Sequence, residues 1–391
     1  MRLPIPVSIA SRDGSSDKDE RLVNCLGEKE DEQIFAAVRP GLTTVTTATG
    51  SGKGLVDWNG DLIAMYGNDF YVFESSGGPI DDSATTTFPA ALSWRDVAWN
   101  GTIYCAVAGN STNVCATSPD GVTWTARTMP TTNLWRAVTW NGSVFCAVVS
   151  GSFTIAATSP DGVTWTQRTT SRSNTGLSMA WNGSVFFCSD GGSSNGGMTS
   201  PDGITWTNRT LPSVATWGPV AWNGTVFCLV AGDTSPASNK AATSSDGITW
   251  GAQTLPATER WSGIAWNGSV FCAVAQSTAN AATSPDGITW TLRTMPSAAS
   301  WSNIAWSGSL FCAVAFDSSI ATSPDGITWT VVTSPSITAQ WYGVASDGEN
   351  FVLTSITGSA TTEGGILYSG PSLVSGGTVS GTFFDFTQST T

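Results

Sequence analysis

Apolar strands separated by polar turns recur along most of the chain at a nearly constant interval. Residues 264–293 form one copy: an apolar strand ending in Trp266, an Asn-Gly pair, the apolar strand F-C-A-V-A, the short strand A-A-T-S, a Pro-Asp-Gly turn and the alternating I-T-W-T. A strand covered on both faces is apolar throughout, whereas a strand with one exposed face alternates. Each copy therefore predicts four antiparallel strands. The Trp that ends the first strand recurs at steps of 40, 41 or 44 residues, at Trp58, Trp99, Trp140, Trp181, Trp222, Trp266 and Trp306.

Two kinds of turn separate these strands. Asn-Gly suits a two-residue hairpin because both central residues of a type I′ turn need positive φ. In Pro-Asp-Gly, Pro presets φ, Asp bonds its own backbone and Gly accepts a left-handed conformation. Because the strands alternate in direction, both turns are predicted on one face. The opposite face then carries loops of variable sequence, and any chain-specific contacts are expected there: residues 109–113, 150–154, 190–197, 232–240, 276–280 and 316–319.

A repeat of about 41 residues with four short strands is typical of the blade of a β-propeller. The predicted fold is all-β, with about eight four-stranded blades and an N-terminal extended arm; an eighth copy has Ser-Asp-Gly at Ser346. If the first or last copy of the repeat does not form a blade of the ring, the predicted number of blades is seven. The predicted boundaries are a charged arm at 1–33, ring-closing strands at 34–53, blades at 54–375 and a C-terminal strand and tail at 376–391. Residues 42–47 are predicted to be the outer strand of the last blade.

All 19 Trp residues fall at three positions of the repeat, so packing between blades accounts for them without a separate role. Seven end the first strand. Six follow the Asp-Gly turn: Trp124, Trp165, Trp206, Trp250, Trp290 and Trp329. Six open the first strand: Trp94, Trp135, Trp217, Trp261, Trp301 and Trp341.

Cysteines also follow the repeat. Six of the 8 occupy the second strand and are predicted to be buried core residues: Cys105, Cys146, Cys188, Cys228, Cys272 and Cys312. Cys25 and Cys115 stand apart, and a disulfide between Cys105 and Cys115 across a hairpin is the alternative. A reduced chain made and assembled in the cytoplasm is expected. No 18-residue apolar run occurs, so no membrane span is predicted.

Charge and composition exclude several kinds of chemistry. The net charge of −13, with only 16 Lys and Arg, argues against nucleic-acid affinity. The absence of His excludes Ser-His-Asp and Cys-His catalysis. Four arginines look like a cluster but share one outer-strand position, which predicts that they spread around the rim: Arg127, Arg168, Arg209 and Arg293. We therefore predict no catalytic, cofactor-binding or metal-binding residues, no cofactor and no enzymatic activity.

The turn sequence Ser-Pro-Asp-Gly-x-Thr-Trp resembles the Asp-box of sialidase-type propellers, with Asp and Gly one residue closer together. In that family the box is a structural turn, so the resemblance implies the propeller and not the reaction. A sialidase-like glycosidase would need an arginine cluster, a tyrosine nucleophile with a Glu partner, and an acid. The chain has 5 tyrosines: Tyr66, Tyr71, Tyr104, Tyr342 and Tyr368.

The N-terminal region contains four further segments of note: R-L-V-N-C-L at residues 21–26, V-R-P-G-L-T at 38–43, G-L-V-D-W-N-G-D-L at 54–62 and F-Y-V-F at 70–73. Together they resemble the opening of tail hub proteins of short-tailed phages, also called nozzle or packaged-DNA stabilisation proteins. It implies a homo-hexameric ring in the virion tail that contacts the tail adaptor and portal side and the tail fibre or needle proteins. Phage DNA would pass non-specifically through the shared lumen, where an acidic surface lets it slide.

These observations predict a structural virion component, the tail hub or nozzle through which DNA passes and is retained before ejection. The alternative is a phage tail propeller that binds a host glycan or receptor through its variable face. A sialidase-like glycosidase is the third hypothesis.

Overall fold

The computed structural model describes residues 29–30, 33–34, 52–58, 61–66, 69–73, 82–356, 363–368 and 373–378, without 152, 175–177, 193, 233–236, 336–337 and 349. Every regular element among these residues is a β-strand. The chain divides into two compact units. Unit 1 comprises residues 1–78 and 371–391, and unit 2 comprises residues 79–370.

Unit 1 contains the first copy of the repeat. Its strands are β1 (Lys29–Glu30), β2 (Gln33–Ile34), β3 (Gly52–Trp58), β4 (Asp61–Tyr66), β5 (Asp69–Phe73) and β32 (Leu373–Thr378). Trp58 pairs with Asp61, the pairing expected for strands joined by two residues. The fourth strand of this sheet is β32, which pairs with β5. The first copy is therefore completed by a strand from the other end of the chain.

Unit 2 is a propeller of antiparallel sheets, which confirms the predicted all-β propeller fold. It begins with β6 (Asp82–Thr87). The first sheet is β7 (Trp94–Trp99), β8 (Tyr104–Ala108), β9 (Thr112–Ser118) and β10 (Thr125–Asn133). The next is β11 (Trp135–Trp140), β12 (Phe145–Val149), β13 (Phe153–Ser159) and β14 (Thr166–Asn174). The third is β15 (Met179–Trp181), β16 (Phe186–Ser189), β17 (Ser194–Ser200) and β18 (Thr207–Ala215).

The remaining sheets complete the ring. The fourth is β19 (Trp217–Trp222), β20 (Phe227–Ala231), β21 (Ser238–Ser244) and β22 (Gly251–Glu259). The fifth has six strands: β23 (Trp261–Trp266), β24 (Phe271–Ser284), β25 (Thr291–Trp306), β26 (Phe311–Ala315), β27 (Ile320–Ser323) and β28 (Thr330–Val332). The sixth is β29 (Trp341–Ser346), β30 (Asn350–Ser355), β31 (Glu363–Tyr368) and β6.

The predicted number of blades is wrong. Counted as hydrogen-bonded sheets, the described residues of unit 2 form six blades, and neither the eight nor the seven predicted. The fifth sheet holds two copies of the repeat because β25 is continuous: it pairs with β24 through residues 291–300 and with β26 through residues 301–306. Consequently, the first strands of seven copies contact one another in a closed cycle, in the order β7, β11, β15, β19, β23, β25 and β29.

The ring closes through β6, whose residues pair with β31 from Thr87 opposite Glu363 to Asp82 opposite Tyr368. The sequence places this outer strand at residues 42–47, which lie outside the described residues. The difference has a physical cause. D-S-A-T-T-T has little apolar periodicity, because an outer strand of a blade is only partly covered, so its sequence does not mark it.

Buried Trp and Cys residues fill the joints between neighbouring copies of the repeat, as predicted. The six Trp residues that open the first strands are at most 1% exposed, and all six second-strand cysteines are buried free thiols. The alternative disulfide is wrong, since Cys105 and Cys115 are both free. Trp217 donates its indole N–H to the carbonyl of Ser213 at 2.9 Å, so burial leaves no unpaired donor there.

The Asp-Gly turns pack against the preceding copy of the repeat. In one of them, Asp202 Oδ1 accepts backbone N–H bonds from Ile204 and Thr205 at 2.8 Å, which confirms its predicted role as a turn former. Burial opposes ionisation of Asp202, but these hydrogen bonds lower its pKa below the ordinary value. Gly203 has φ of +73°, and a Cβ there would lie 2.8 Å from Thr158 of the preceding copy. Glycine is therefore required both for the turn and for the close approach.

Candidate functional site

A small cavity lies on the axis of the propeller. Its walls come from the start of the first strand of each of the seven copies, and its volume is ≈ 60 Å³. The lining residues are Arg95, Asp96, Arg136, Ser178, Pro219, Ser262, Ser302, Asn303 and Tyr342.

Irregular strand pairing directs these side chains to the axis. In β7, the register shifts between Trp94 and Asp96, so that Arg95 has no opposite residue in β8. The same shift occurs at Arg136 in β11 and at Tyr342 in β29. A bulge of this kind bends the strand and turns the extra side chain away from the sheet. In these three first strands the bulge therefore presents the extra residue to the cavity.

A cationic and aromatic wall covers one side of the cavity. Arg95 and Arg136 place their guanidinium carbons 4.9 Å and 4.8 Å from the centre of the Tyr342 ring, within the range of cation–π contact. The strands that carry these residues, β29, β7 and β11, are consecutive around the axis. Phe316 packs against Tyr342 with ring centres 5.4 Å apart. Smaller residues, Ser262 among them, line the other side.

Burial is the main cause that lowers the pKa of Arg95; Tyr342 opposes the shift, and the positive charge of Arg136 adds to it. The Arg95 guanidinium is thus partly desolvated beside a like charge, an arrangement that an anion in the cavity would relieve.

Asp96 joins two neighbouring first strands. Its Oδ1 accepts the backbone N–H of Val97, and its Oδ2 accepts that of Val138 in the next copy, both at 2.9 Å. Burial raises the pKa of Asp96 to about 7, although these hydrogen bonds and the charge of Arg136 favour the ionised form. With both oxygens engaged by the backbone, Asp96 acts as a bridge between strands.

The cavity opens on the face that carries the variable loops. Gly109 begins one of these loops and donates its backbone N–H to Ser93 at 2.9 Å, which places the loop at the start of β7. A Cβ on Gly109 would lie 2.8 Å from Nε of Arg95. Phe316, in another variable loop, contacts Tyr342. The face predicted to make chain-specific contacts is therefore the face of the axial cavity.

The rim arginines lie elsewhere, as the sequence predicts. Each donates its Nε to a threonine on the adjacent strand of its own sheet at 2.8–2.9 Å, in the pairs Arg127–Thr117, Arg168–Thr158, Arg209–Thr199 and Arg293–Thr283. The sequence analysis missed Arg95, Arg136 and Tyr342. The sequence does contain a signal for these three residues, because each directly follows the Trp that opens a first strand. That position varies between copies while its neighbours repeat: it is Arg, Arg, Gly, Ser, Ser and Tyr in the successive copies that have this Trp.

We expect Asp96 to make stability depend on pH. Its pKa is about 7 in the folded chain against an ordinary 3.8, so the folded state binds the proton more tightly. The free energy of unfolding should therefore fall as pH rises from about 4 to about 7. Denaturant unfolding at several pH values should show this slope in the wild type and a weaker one in Asp96→Asn.

Asp96→Asn should also be less stable overall, because an amide can accept through one oxygen only and leaves one of the two N–H groups unpaired. Asp202→Asn serves as the control, since the pKa of Asp202 is lowered and its contribution changes only below about pH 4. Equal slopes for wild type and Asp96→Asn between pH 5 and pH 7 would contradict the assignment.

Among the described residues, no group of three or more His, Cys, Asp and Glu side chains is placed to hold a metal ion. Nor does the described part of the chain contain a helix with the length and apolarity to cross a membrane.

Comparison with known proteins identifies the fold alone. No protein-family model and no curated protein matches the chain. A catalytically inactive virginiamycin B lyase from Staphylococcus aureus, solved with quinupristin, is similar at a TM-score of 0.64 and 10% identity, covering 73% of this chain and 99% of that one. YCF48 bound to D1 peptide is similar at a TM-score of 0.58 and 14% identity, covering 75% and 99%. YCF48 from Cyanidioschyzon merolae is similar at 0.56 and 14%, covering 73% and 98%.

Proposed function

We propose that the chain is a structural component of the tail of a short-tailed phage, with the propeller inserted into a module of tail hub type. The observation that carries the proposal is the pairing of β5 with β32, residues 69–73 with residues 373–378. All four segments that resemble tail hub proteins fall within residues 1–78, which belong to unit 1. The chain thus leaves this unit for the propeller and returns to complete the same sheet.

The ends of the propeller suit such an insertion. Asp82, in the first strand of unit 2, pairs with Tyr368 in its last strand. Domains whose ends lie close together can be inserted into a host module without distorting it. Unit 1 is accordingly the part that would assemble with neighbours, and the propeller is the part displayed by it.

In this proposal copies of the chain form a homo-hexamer between the tail adaptor and the fibre or needle proteins. DNA passes through the channel shared by the copies, because the propeller's own axial cavity of ≈ 60 Å³ is too small for a DNA duplex. The net charge of −13 favours sliding of DNA over binding.

We propose a non-enzymatic role, although one similar fold belongs to a lyase. The variant of that lyase is inactive through replacement of a histidine by alanine. This chain contains no histidine, so the corresponding chemistry has no equivalent residue here. The axial cavity offers the sialidase-like hypothesis a tyrosine and two arginines. That reaction also needs a Glu partner for the tyrosine and an acid, but no Glu lines the described cavity, and both oxygens of Asp96 accept backbone N–H bonds.

Location in the particle tests the proposal. An affinity-tagged chain in virions of the encoding phage should be labelled by gold at the tail in electron micrographs, and the purified chain should have the mass of a hexamer in light scattering. Deleting residues 1–33 should abolish the hexamer and leave the thermal transition of unit 2 unchanged. A chain absent from purified virions would contradict the proposal.

A second candidate is binding of a host glycan or receptor by the variable face. The axial cavity favours it, because the cavity opens on that face and carries Arg95, Arg136 and Tyr342. Binding of the free chain to host cells separates this candidate from a purely structural role.

A further inference from the structure

The axial cavity is chemically uneven. Three consecutive first strands contribute Arg95, Arg136 and Tyr342, whereas the far side is lined by Pro219, Ser262 and other small residues. The repeat does not require this, since the same position accepts Gly or Ser in other copies. One side of the cavity is therefore positively charged, and the small residues on the other side leave room for a ligand.

The two guanidinium groups line the same cavity. Because each is within 4.9 Å of the same ring centre, their central carbons are at most about 10 Å apart, a distance comparable to the screening length of about 8–10 Å at 0.1–0.15 M salt. Asp96 is the carboxylate of the cavity, and its oxygens accept two backbone N–H bonds. The cavity consequently presents excess positive charge in a chain of net charge −13.

The surroundings hold the guanidinium groups in place. The Tyr342 ring contacts both, and Gly109 leaves room for the Arg95 side chain, since a Cβ there would lie 2.8 Å from its Nε. A guanidinium offers donors in a planar fork that matches two oxygens of one anion. Arginines fixed in orientation around a shared space can therefore donate to the same oxyanion.

We propose that the axial cavity is a binding site for an oxyanion, a carboxylate, sulfate or phosphate group held between Arg95 and Arg136. The volume of ≈ 60 Å³ has room for one such group beside the two arginines. The rest of a larger ligand would extend over the side of Pro219, Ser262 and Ser302 towards the variable loops. The group is thus the anchor of a ligand bound on this face.

Isothermal titration of the full chain with sodium phosphate, sodium sulfate and sodium acetate tests the site, with ionic strength held constant by sodium chloride. Comparison of acetate with phosphate and sulfate shows whether the site prefers a planar or a tetrahedral anion. We expect saturable binding of at least one anion with a dissociation constant of about 1 mM, as for a few charged hydrogen bonds. Arg95→Gln and Arg136→Gln should each weaken binding at least tenfold, and the double variant should abolish it.

Arg127→Gln is the matched control, because Arg127 makes an equivalent change of charge at the rim, where its Nε bonds Thr117. Its binding should equal that of the wild type. Absence of binding for all three anions would overturn the proposal, as would unchanged binding in the double variant or an equal loss in Arg127→Gln.

Near-ultraviolet circular dichroism reports whether each variant is folded. If a Gln variant is not, Arg95→Lys and Arg136→Lys decide: they keep the charge but lose the fork, and binding should weaken several-fold without vanishing. Unchanged binding in both would overturn the site. These measurements use the purified chain, so their failure is distinct from a failure to find the chain in the virion tail.

Discussion

Replacing Trp217 with alanine is expected to lower the free energy of unfolding of unit 2 by about 3–5 kcal/mol, the range for deletion of a large buried aromatic side chain. Trp217 is 0% exposed and packs in a cluster that includes Phe187 of the preceding copy. Its removal leaves a cavity in the joint between two sheets, and it leaves the carbonyl of Ser213 without the indole N–H.

The measurement is urea or guanidinium unfolding monitored by circular dichroism, compared through the midpoint and slope. Trp222→Ala is the control in the same sheet. Trp222 is only half-buried and packs at a tilt against Phe227 with ring centres 4.8 Å apart, so its loss should cost clearly less. Equal costs for the two would mean that burial in the joint does not decide stability.

Local chemistry explains why most of the propeller could be predicted. The Asn-Gly and Asp-Gly turns mark where strands begin and end, because Gly takes the positive φ that each turn needs, as at Gly183 with φ of +93° and Gly203 with φ of +73°. The predicted two-residue type I′ hairpin is wrong in unit 2: no described Asn of an Asn-Gly pair has positive φ, and Trp181 pairs with Phe186, so the connection has four residues. Trp and Cys then recur at buried positions of the strands between them. These signals lie within a few residues of the structure that they specify.

Strand pairing over long distances could not be predicted in the same way. The Trp58 hairpin looks like the start of a blade, yet its sheet is completed by residues 373–378. The number of sheets also depends on β25 running without a break from Thr291 to Trp306, which local sequence does not reveal. Such choices depend on which edges remain free after the other strands have paired.

The axial site escaped prediction because the search for chemistry followed the repeat. Residues that recur, such as Arg127 and its equivalents, are bonded within their own sheets. Residues that depart from the repeat at a bulge, such as Arg95 and Tyr342, come together at the axis. In a ring of similar units, a chemically distinct site forms where the units differ at the axial position, because identical units would line the axis with identical side chains.

Removing β6 is expected to have the largest effect on stability. A fragment of residues 79–370 should fold, because it contains every strand of unit 2. A fragment of residues 88–370 lacks the six residues that pair with β31. At about 0.5–1.5 kcal/mol for each backbone hydrogen bond, the loss of this ladder alone costs several kcal/mol, comparable to the whole stability of many domains.

The two fragments also distinguish ring closure by β6, as in the structure, from ring closure by residues 34–53, as the sequence predicts. If residues 34–53 closed the ring, both fragments would lack the outer strand, and both would be unstable. If β6 closes it, the 79–370 fragment should unfold in one cooperative transition at the temperature of unit 2 in the full chain, and the 88–370 fragment should be unfolded or lose that transition. Phe88 remains in both fragments, with its ring centre 4.6 Å from that of Trp94, so the comparison isolates the strand pairing itself. Equal thermal transitions for the two fragments would contradict closure through β6, because an exposed β31 edge would then carry no cost.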